Sequence, residues 1–482
     1  MARCLLGSLK LTILFAAALV WSIAANAEPA PRPVTALLVS DVHFEPFWDL
    51  EKTPRLAAAP ADEWKAILAA PASADQAERF AALRKTCKTR GEDTNYTLLA
   101  SSLAAMRAQV AGARFITISG DLISHAFDCK WAAAMPNAKP GEYEAFVVKT
   151  LEFVLGEFRA EFRGVPVYAA LGNNDTGCTD YELDMNSEFL KAAGKAFTEE
   201  LPERERKAAE ESFRARGDFS VALPTPFRNT RLLIVDDIFQ SKKYQTCDGK
   251  VDSSGAAAQI AWLKGELDKA RRDHEKVWVM GHIPPGIDPY STIRAMKNIC
   301  GGMEPEMFLS SDDLANTLDA YGDVIRLAIF AHTHMDEMRI VDQFPLKGKV
   351  YPVALKMVPS ISPVNGNHPA FTIASVDPET ATLRDYRVIA ASNLTGVDTK
   401  WAEEYDYAKA YHRQAFALAD AKALIDGFAT DPDAKTEASQ SYLHNYFVGD
   451  ESLMLRPFWP QYTCALTNMT ADAYRACRCP AK

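Results

Sequence analysis

Short apolar runs rich in β-branched residues recur along this chain, and the early ones alternate with stretches whose apolar residues fall at helical spacing. Val34 to Ser40 reads as a strand, Thr97 to Val110 as a helix with Leu98, Leu99, Leu103 and Met106 on one face, and Phe115 to Ile118 as a second strand. The pattern repeats with an amphipathic helix over Tyr143 to Phe162 and a strand over Val165 to Ala170. Further on, Arg231 to Val235, Val277 to Met280 and Val324 to Phe330 read as strands, and Gln259 to Arg272 as a helix burying Trp262, Leu263 and Leu267. Residues 51 to 92, rich in Ala and Pro, read as an irregular excursion with short helices. The charged stretch 184 to 215 reads as a solvated helical hairpin or one long helix. Strands near 350–357, 370–376 and 383–390 follow without intervening helices and are expected to pair antiparallel.

Helices between the early strands and bare strands later suggest an α/β fold of two sheets packed face to face with helices outside. The pattern changes after Ser392, where Trp401 to Phe428 reads as helical and the tail carries three cysteines. A boundary near 395 therefore separates a main domain, 28–395, from a small helical subdomain, 396–482. A length of 482 residues agrees with a large domain plus an appendage.

The first 27 residues read as a secretory signal: Arg3 and Lys10 open it, Leu11 to Ala24 is apolar, and Ala25-Asn26-Ala27 is a small-residue cleavage site. No later run reaches membrane-spanning length, so the expected destination is the periplasm or the exterior. Removing the two positive charges of that segment takes the formal net charge from -10 to -12. Such a surface disfavours non-specific binding to nucleic acid, so phosphate recognition must come from a local site. The eight cysteines after Cys4 form an even set, which in an exported chain favours disulfides, with 105 possible pairings. Zinc binding by the close pair Cys477 and Cys479 is the weaker reading.

Chemistry enters at the ends of the strands. Asp41-Val-His43, Gly120-Asp121, Gly172-Asn173-Asn174-Asp175, Gly281-His282 and His332-Thr-His334 each follow directly on an apolar run. In α/β architectures ligands gather at the carboxyl ends of strands, where loops distant in sequence converge. Each motif alone carries little, since an isolated Asp-x-His is more often a capped turn than a ligand pair. Together they supply a carboxylate able to bridge two divalent ions about 3.5 Å apart, with imidazoles and oxygens to complete both shells. Such ions hold a hydroxide and neutralise phosphoryl oxygens, which points to hydrolysis of a phosphate ester.

These motifs resemble those of the calcineurin-like metallophosphoesterases, and more narrowly those of the acid sphingomyelinase-like phosphodiesterases. The narrower likeness rests on Gly120-Asp121-Leu-Ile-Ser-His125, His332-Thr-His334-Met-Asp336-Glu337, Pro359-Ser-Ile-Ser-Pro363 and Asn367-His-Pro369. The resemblance implies a four-layer α/β/β/α sandwich. It implies that Asp41, His43 and His334 hold one ion, that Asn173, His282 and His332 hold the other, and that Asp121 bridges them. The ions implied are zinc, with manganese or iron as alternatives on donor chemistry. The saposin-like domain of mammalian sphingomyelinase has no counterpart here, which weakens the implied attack on bilayer lipid.

The chain departs from the family pattern twice. Ala331 stands where Gly precedes the His pair, a mild change if the backbone there does not need positive φ. Asn174 stands where the family has a His that contacts the phosphoryl group and can protonate the leaving oxygen. An amide donates a hydrogen bond but delivers no proton near neutral pH. His125 is then the expected leaving-group acid or phosphate contact. Glu337 is expected to support His334 from behind, since a metal-bound imidazole needs an acceptor, and His368 to sit at the substrate rim. Asp236-Asp237 reads as a cap; Trp48, Tyr244 and Tyr290 read as cleft-lining or core residues. The expected activity is phosphodiester hydrolysis, with phosphomonoesters or polyphosphate as alternative substrates and a metal- or phosphate-binding protein without catalysis as the remaining alternative.

Overall fold

Five parallel pairings bring the strand ends named above to one edge of the molecule. A computed structural model describes residues 32–110, 112–342 and 351–479; the expected signal segment lies outside them. The first sheet contains β1 (Val34–Val39), β2 (Ile116–Ser119) and β3 (Val167–Ala170) in parallel. The second contains β4 (Phe219–Ala222), β5 (Thr230–Ile234), β6 (Lys276–Met280), β7 (Ile325–Phe330), β8 (Glu337–Val341) and β9 (Val353–Met357). Strands β10 (Ala370–Val376), β11 (Leu383–Ala391) and β12 (Trp401–Asp406) complete the first sheet. Its order is β12-β11-β10-β1-β2-β3, and that of the second is β4-β5-β6-β7-β9-β8.

Alternation along the second sheet shows why the sandwich has four layers. Leu232, Ile234, Trp278, Met280, Leu327 and Ile329 join the core shared with the first sheet. Their neighbours Leu233, Val277, Val279, Ala328 and Phe330 join a separate core. That second core is closed by Leu263 and Leu267 of the helix Ser254–Arg272 and by Leu314 and Leu318 of the helix Asp313–Ala320. With side chains pointing alternately to either face, one sheet is buried on both sides. The outer face of the first sheet is covered by the helices Tyr96–Gln109 and Glu142–Glu161.

Several expectations change. The strand at 353–357 is parallel to β7 and antiparallel only to β8, because the chain runs from β7 out to the edge strand β8 and then returns to lie between the two. Strands β10 and β11 are antiparallel as expected. Strands β4, β8 and β12 carried no clear period in the sequence. The start of the expected helix at 401 is instead β12: Trp401 packs on Phe371 and Tyr405 on Tyr386, so tertiary contact overrides helix propensity. The first sheet thus continues past residue 395. Helices follow it, Leu418–Ala429 and Glu437–Asn445 among them, and they remain tied to the second sheet through Ile340 N–H to the Leu466 carbonyl and Asp336 N–H to that of Tyr446. The stretch 184–215 is a hairpin of helices Glu188–Thr198 and Glu203–Arg216, its first helix burying Phe189, Leu190 and Phe197.

All eight cysteines after Cys4 are paired: Cys87–Cys129, Cys178–Cys247, Cys300–Cys479 and Cys464–Cys477. Cys477 and Cys479 therefore belong to different bridges rather than to a zinc site.

Candidate metal centre

Left-handed backbone marks the place where the strands stop and the chemistry begins. Asp41 and His43 after β1, Asp121 after β2, and His332 and His334 after β7 all have φ between 43° and 69°. For residues other than glycine such conformations cost on the order of 1–3 kcal/mol each and persist where surrounding structure over-determines them. Here it does, because β1–β2 pairing runs on into the loops: Asp41 N–H bonds the Gly120 carbonyl and His43 N–H that of Asp121. Gly120 has φ 84°, and a Cβ there would lie 2.8 Å from His282 Nδ1. At Gly172 a Cβ would sit 2.2 Å from the Asp121 carboxylate, so the β3 loop can close on Asp121 only as glycine. Ala331 is absent from the positive-φ residues, which explains why alanine is accommodated there.

The side chains converge on Asp121. His43 Nε2 and His282 Nε2 lie 3.4 and 3.2 Å from Asp121 Oδ2. On one side, His334 Nε2 is 3.2 Å from His43 Nε2 and 3.5 Å from Asp41 Oδ1. On the other, Asn173 Oδ1 is 3.1 Å and His332 Nδ1 3.3 Å from His282 Nε2. The seven expected ligands are thus brought together in two groups about one carboxylate. His125 joins them: a ring nitrogen of each of His43, His125 and His334 falls within 4.8 Å of the others, and the His125 ring stacks on His43 at 3.9 Å.

The donor set fits divalent cations. His43 and His282 each donate Nδ1–H to a backbone carbonyl, of Ile123 at 2.9 Å and Ser119 at 2.8 Å, which turns both Nε2 atoms inward. Asp41 Oδ1 is buried without a hydrogen-bond partner among the described residues. Burial, with repulsion from neighbouring imidazoles, holds His43 down to about 4 and His332 and His334 well below the ordinary range, so these rings are neutral, as ligands must be. Asp121 is held well below the usual carboxylate range despite burial, by the charges of His282 and His43. Burial opposes the charge on His282, but Asp121 pushes its pKa up to about 10. The same negative pull is what a bound cation would answer.

Around this centre lie residues whose roles sequence reasoning passed over. Asp175 accepts from the N–H groups of Leu122, Ile123 and Gly172, riveting the β2 loop to the β3 loop. Asp237, taken as a cap, accepts from the N–H of His282 and Ile283 and so fixes the loop after β6; Asp236 does cap, accepting from Ile238 N–H. Asp180 accepts from the Asn173 amide at 2.6 Å, turning its oxygen inward. Asp93 accepts from both the N–H and Nδ1–H of His125, each at 3.0 Å, and lies 3.5 Å from the buried Lys130, which pairs with Glu45. Asp93 follows Cys87 in a stretch without period, and only the Asp–His pairing across the fold reveals it.

Two expected roles fall elsewhere. Glu337 pairs with Arg339 rather than with His334, whose Nδ1 has no partner; as the first residue of β8 it follows that strand's alternation away from the ligand. His368 donates Nδ1–H to the Ala391 carbonyl and packs against Gly449, a structural position. Asn174 is turned onto Asp121, its backbone N–H donating to Oδ1 at 2.9 Å and its amide to Oδ2 at 3.0 Å. Tyr244 is buried and bonds the Leu183 carbonyl, Trp48 packs on the core, and Tyr290 is exposed with the Arg294 guanidinium 5.6 Å from its ring.

The chain is similar to known proteins along most of its length. Sphingomyelinase phosphodiesterase D of Dictyostelium discoideum is 25% identical over 80% of this chain and 80% of its own. Acid sphingomyelinase-like phosphodiesterase 3b of Mus musculus is 24% identical over 91% and 88%. Cyclic GMP-AMP phosphodiesterase SMPDL3A of Bos taurus is 25% identical over 66% and 68%. The sequence profile of the calcineurin-like phosphoesterases matches residues 34–336, from the first residue of β1 to just beyond the His332–His334 pair. The chain belongs to the calcineurin-like phosphoesterase family and is a metal-dependent hydrolase of phosphoric esters.

Proposed function

We propose that the chain is an exported phosphodiesterase working with two divalent ions, zinc before manganese or iron. Asp41, His43 and His334 would hold one, Asn173, His282 and His332 the other, with Asp121 shared. The observation that carries this reading is the inward pair of Nε2 atoms on His43 and His282, both within 3.4 Å of one Asp121 oxygen. When bound, the ions supply Lewis-acid activation of water and neutralise charge on the phosphoryl group.

The protein supplies position and a proton. Asn174 spends its amide on Asp121 and leaves the leaving oxygen without a donor from that loop. His125 takes that role: its Nδ1 is committed to Asp93, so Nε2 is the ring atom that gives up a proton. Burial works against the charged ring, but the Asp93 carboxylate raises its pKa above the ordinary histidine value. A raised pKa keeps the acid loaded at neutral pH. The four disulfides suit the oxidising compartment that export would deliver the chain to, and among the described residues no helix is long and apolar enough to cross a membrane.

The test is turnover by metal-replete protein of bis-p-nitrophenyl phosphate against p-nitrophenyl phosphate. Preference for the diester is expected; preference for the monoester would make the protein a phosphatase. No turnover of either with two ions bound would falsify the enzyme reading.

A further inference from the structure

Two aromatic rings flank His332, Tyr181 with its centroid at 6.2 Å and Phe308 at 5.9 Å, both edge-on. An open aromatic face beside a phosphoryl site is what a quaternary ammonium headgroup would use. Both rings already carry a cation of this chain: Lys243 Nζ lies 4.7 Å from the Tyr181 centroid, and the Arg339 guanidinium 5.3 Å from that of Phe308. The two cations are not alike. Arg339 is buried and neutralised by Glu337. Lys243 is exposed, donates to the Tyr181 hydroxyl at 3.3 Å, and makes no ion pair among the described residues, whereas Lys242 beside it is tied to Glu306.

We propose that Lys243 forms an anion subsite of the metal centre, receiving a second negatively charged group of the substrate, such as the further phosphate of a phosphoanhydride. The proposal rests on the phosphoesterase reading and narrows its substrate class. The position of Lys243 is built. Tyr181 hydroxyl stands between its ammonium and His332, 3.4 Å from the ring Nε2. Tyr181 N–H bonds the Asn173 carbonyl, and Gln245 N–H bonds that of Tyr181, so the lysine segment is referenced to a ligand loop through one residue. The Cys178–Cys247 disulfide closes the same two segments. An ammonium held there attracts a second phosphate and repels a choline-type cation; Asp180 feels its charge, but among the described residues no carboxylate lies within ion-pairing distance of it. A charge-assisted contact of this kind is worth about tenfold in affinity.

The experiment measures binding, apart from turnover, on metal-loaded full-length protein by calorimetry. The probes are adenosine monophosphate and the non-hydrolysable α,β-methylene adenosine diphosphate, which differ by one phosphate-like group. The wild type is expected to bind the second about tenfold more tightly. Lys243→Gln should erase that preference, and Lys243→Arg should keep it. Equal binding of both probes by the wild type, or a preference that survives Lys243→Gln, overturns the subsite. Bis-p-nitrophenyl phosphate is assayed on the same preparation: failure there strikes the phosphodiesterase reading, while the binding ratio still decides the role of Lys243.

Discussion

The two halves of the metal centre share Asp121 but are held to different degrees. Around Asn173, His282 and His332 each side chain has an anchor behind it: Asp180 for the amide, the Ser119 carbonyl and Asp237 for His282, Tyr181 for His332. Around Asp41, His43 and His334 the support is thinner, with Ser40 Oγ donating to Asp41 Oδ2 and His43 donating to the Ile123 carbonyl. Among the described residues His334 Nδ1 and Asp41 Oδ1 have no hydrogen-bond partner, and the ring stacked on His43 is His125, itself held by Asp93. The first arrangement fixes geometry; the second places a proton-bearing group against the ligands. Under the proposed function, a centre that must both hold ions and release a leaving group would divide the tasks between its halves.

Removing what the halves share has the largest effect. Asp121→Ala should lose both ions by elemental analysis and drop hydrolysis to background; retention of either ion would show that the halves bind independently. His125→Ala strikes the chemical half. For an alkyl leaving group the rate should fall by about 10²–10⁴, and by much less for p-nitrophenolate, which departs without a proton. An equal loss on both substrates would mean that His125 positions phosphate rather than protonating the leaving oxygen.

Asp237→Ala strikes the rigid half, where anchors of ligands typically contribute about 10–100-fold in metal affinity. Titration with limiting metal should then show one tight and one weakened site, and uniform weakening would erase the contrast between halves. The smallest effect is a pH dependence. Burial, and then repulsion from Asp237, raises the Asp236 carboxyl well above its ordinary value. The folded chain therefore holds a proton that the unfolded chain releases near pH 4, so this group costs stability as pH climbs above that point. Asp236→Asn keeps the cap oxygen and removes the titration. The melting temperature of the variant relative to the wild type should rise between pH 5 and pH 8.

The proposed ligands could be read from the sequence because each follows a strand and strands announce themselves. Asp41, Asp121, His282 and His332 stand two residues past β1, β2, β6 and β7. What supports them was not legible, for the opposite reason. Asp93, Asp180 and Tyr181 lie in stretches without period, and each acts across the fold on a partner that no spacing reveals. Glu337 was misplaced because nearness in sequence to His334 suggested a shared direction, whereas strand alternation sends it to Arg339. Strand β12 was missed because Ala402, Glu403 and Glu404 favour a helix until Phe371 and Tyr386 offer a surface to Trp401 and Tyr405.

The left-handed backbone at Asp41, His43, Asp121, His332 and His334 limits which sequences this site can explore. Apart from glycine, the residues that adopt this conformation most readily are Asn, Asp and His, which are also the residues that bind hard and borderline ions. An exchange within that group alters the ion preferred while leaving the turn intact. A change to an aliphatic side chain loses a ligand and strains the turn in the same step. The backbone thereby keeps neighbouring variants in the alphabet of metal chemistry, and new specificity is more accessible to this family through its choice of ion than through loss of the centre.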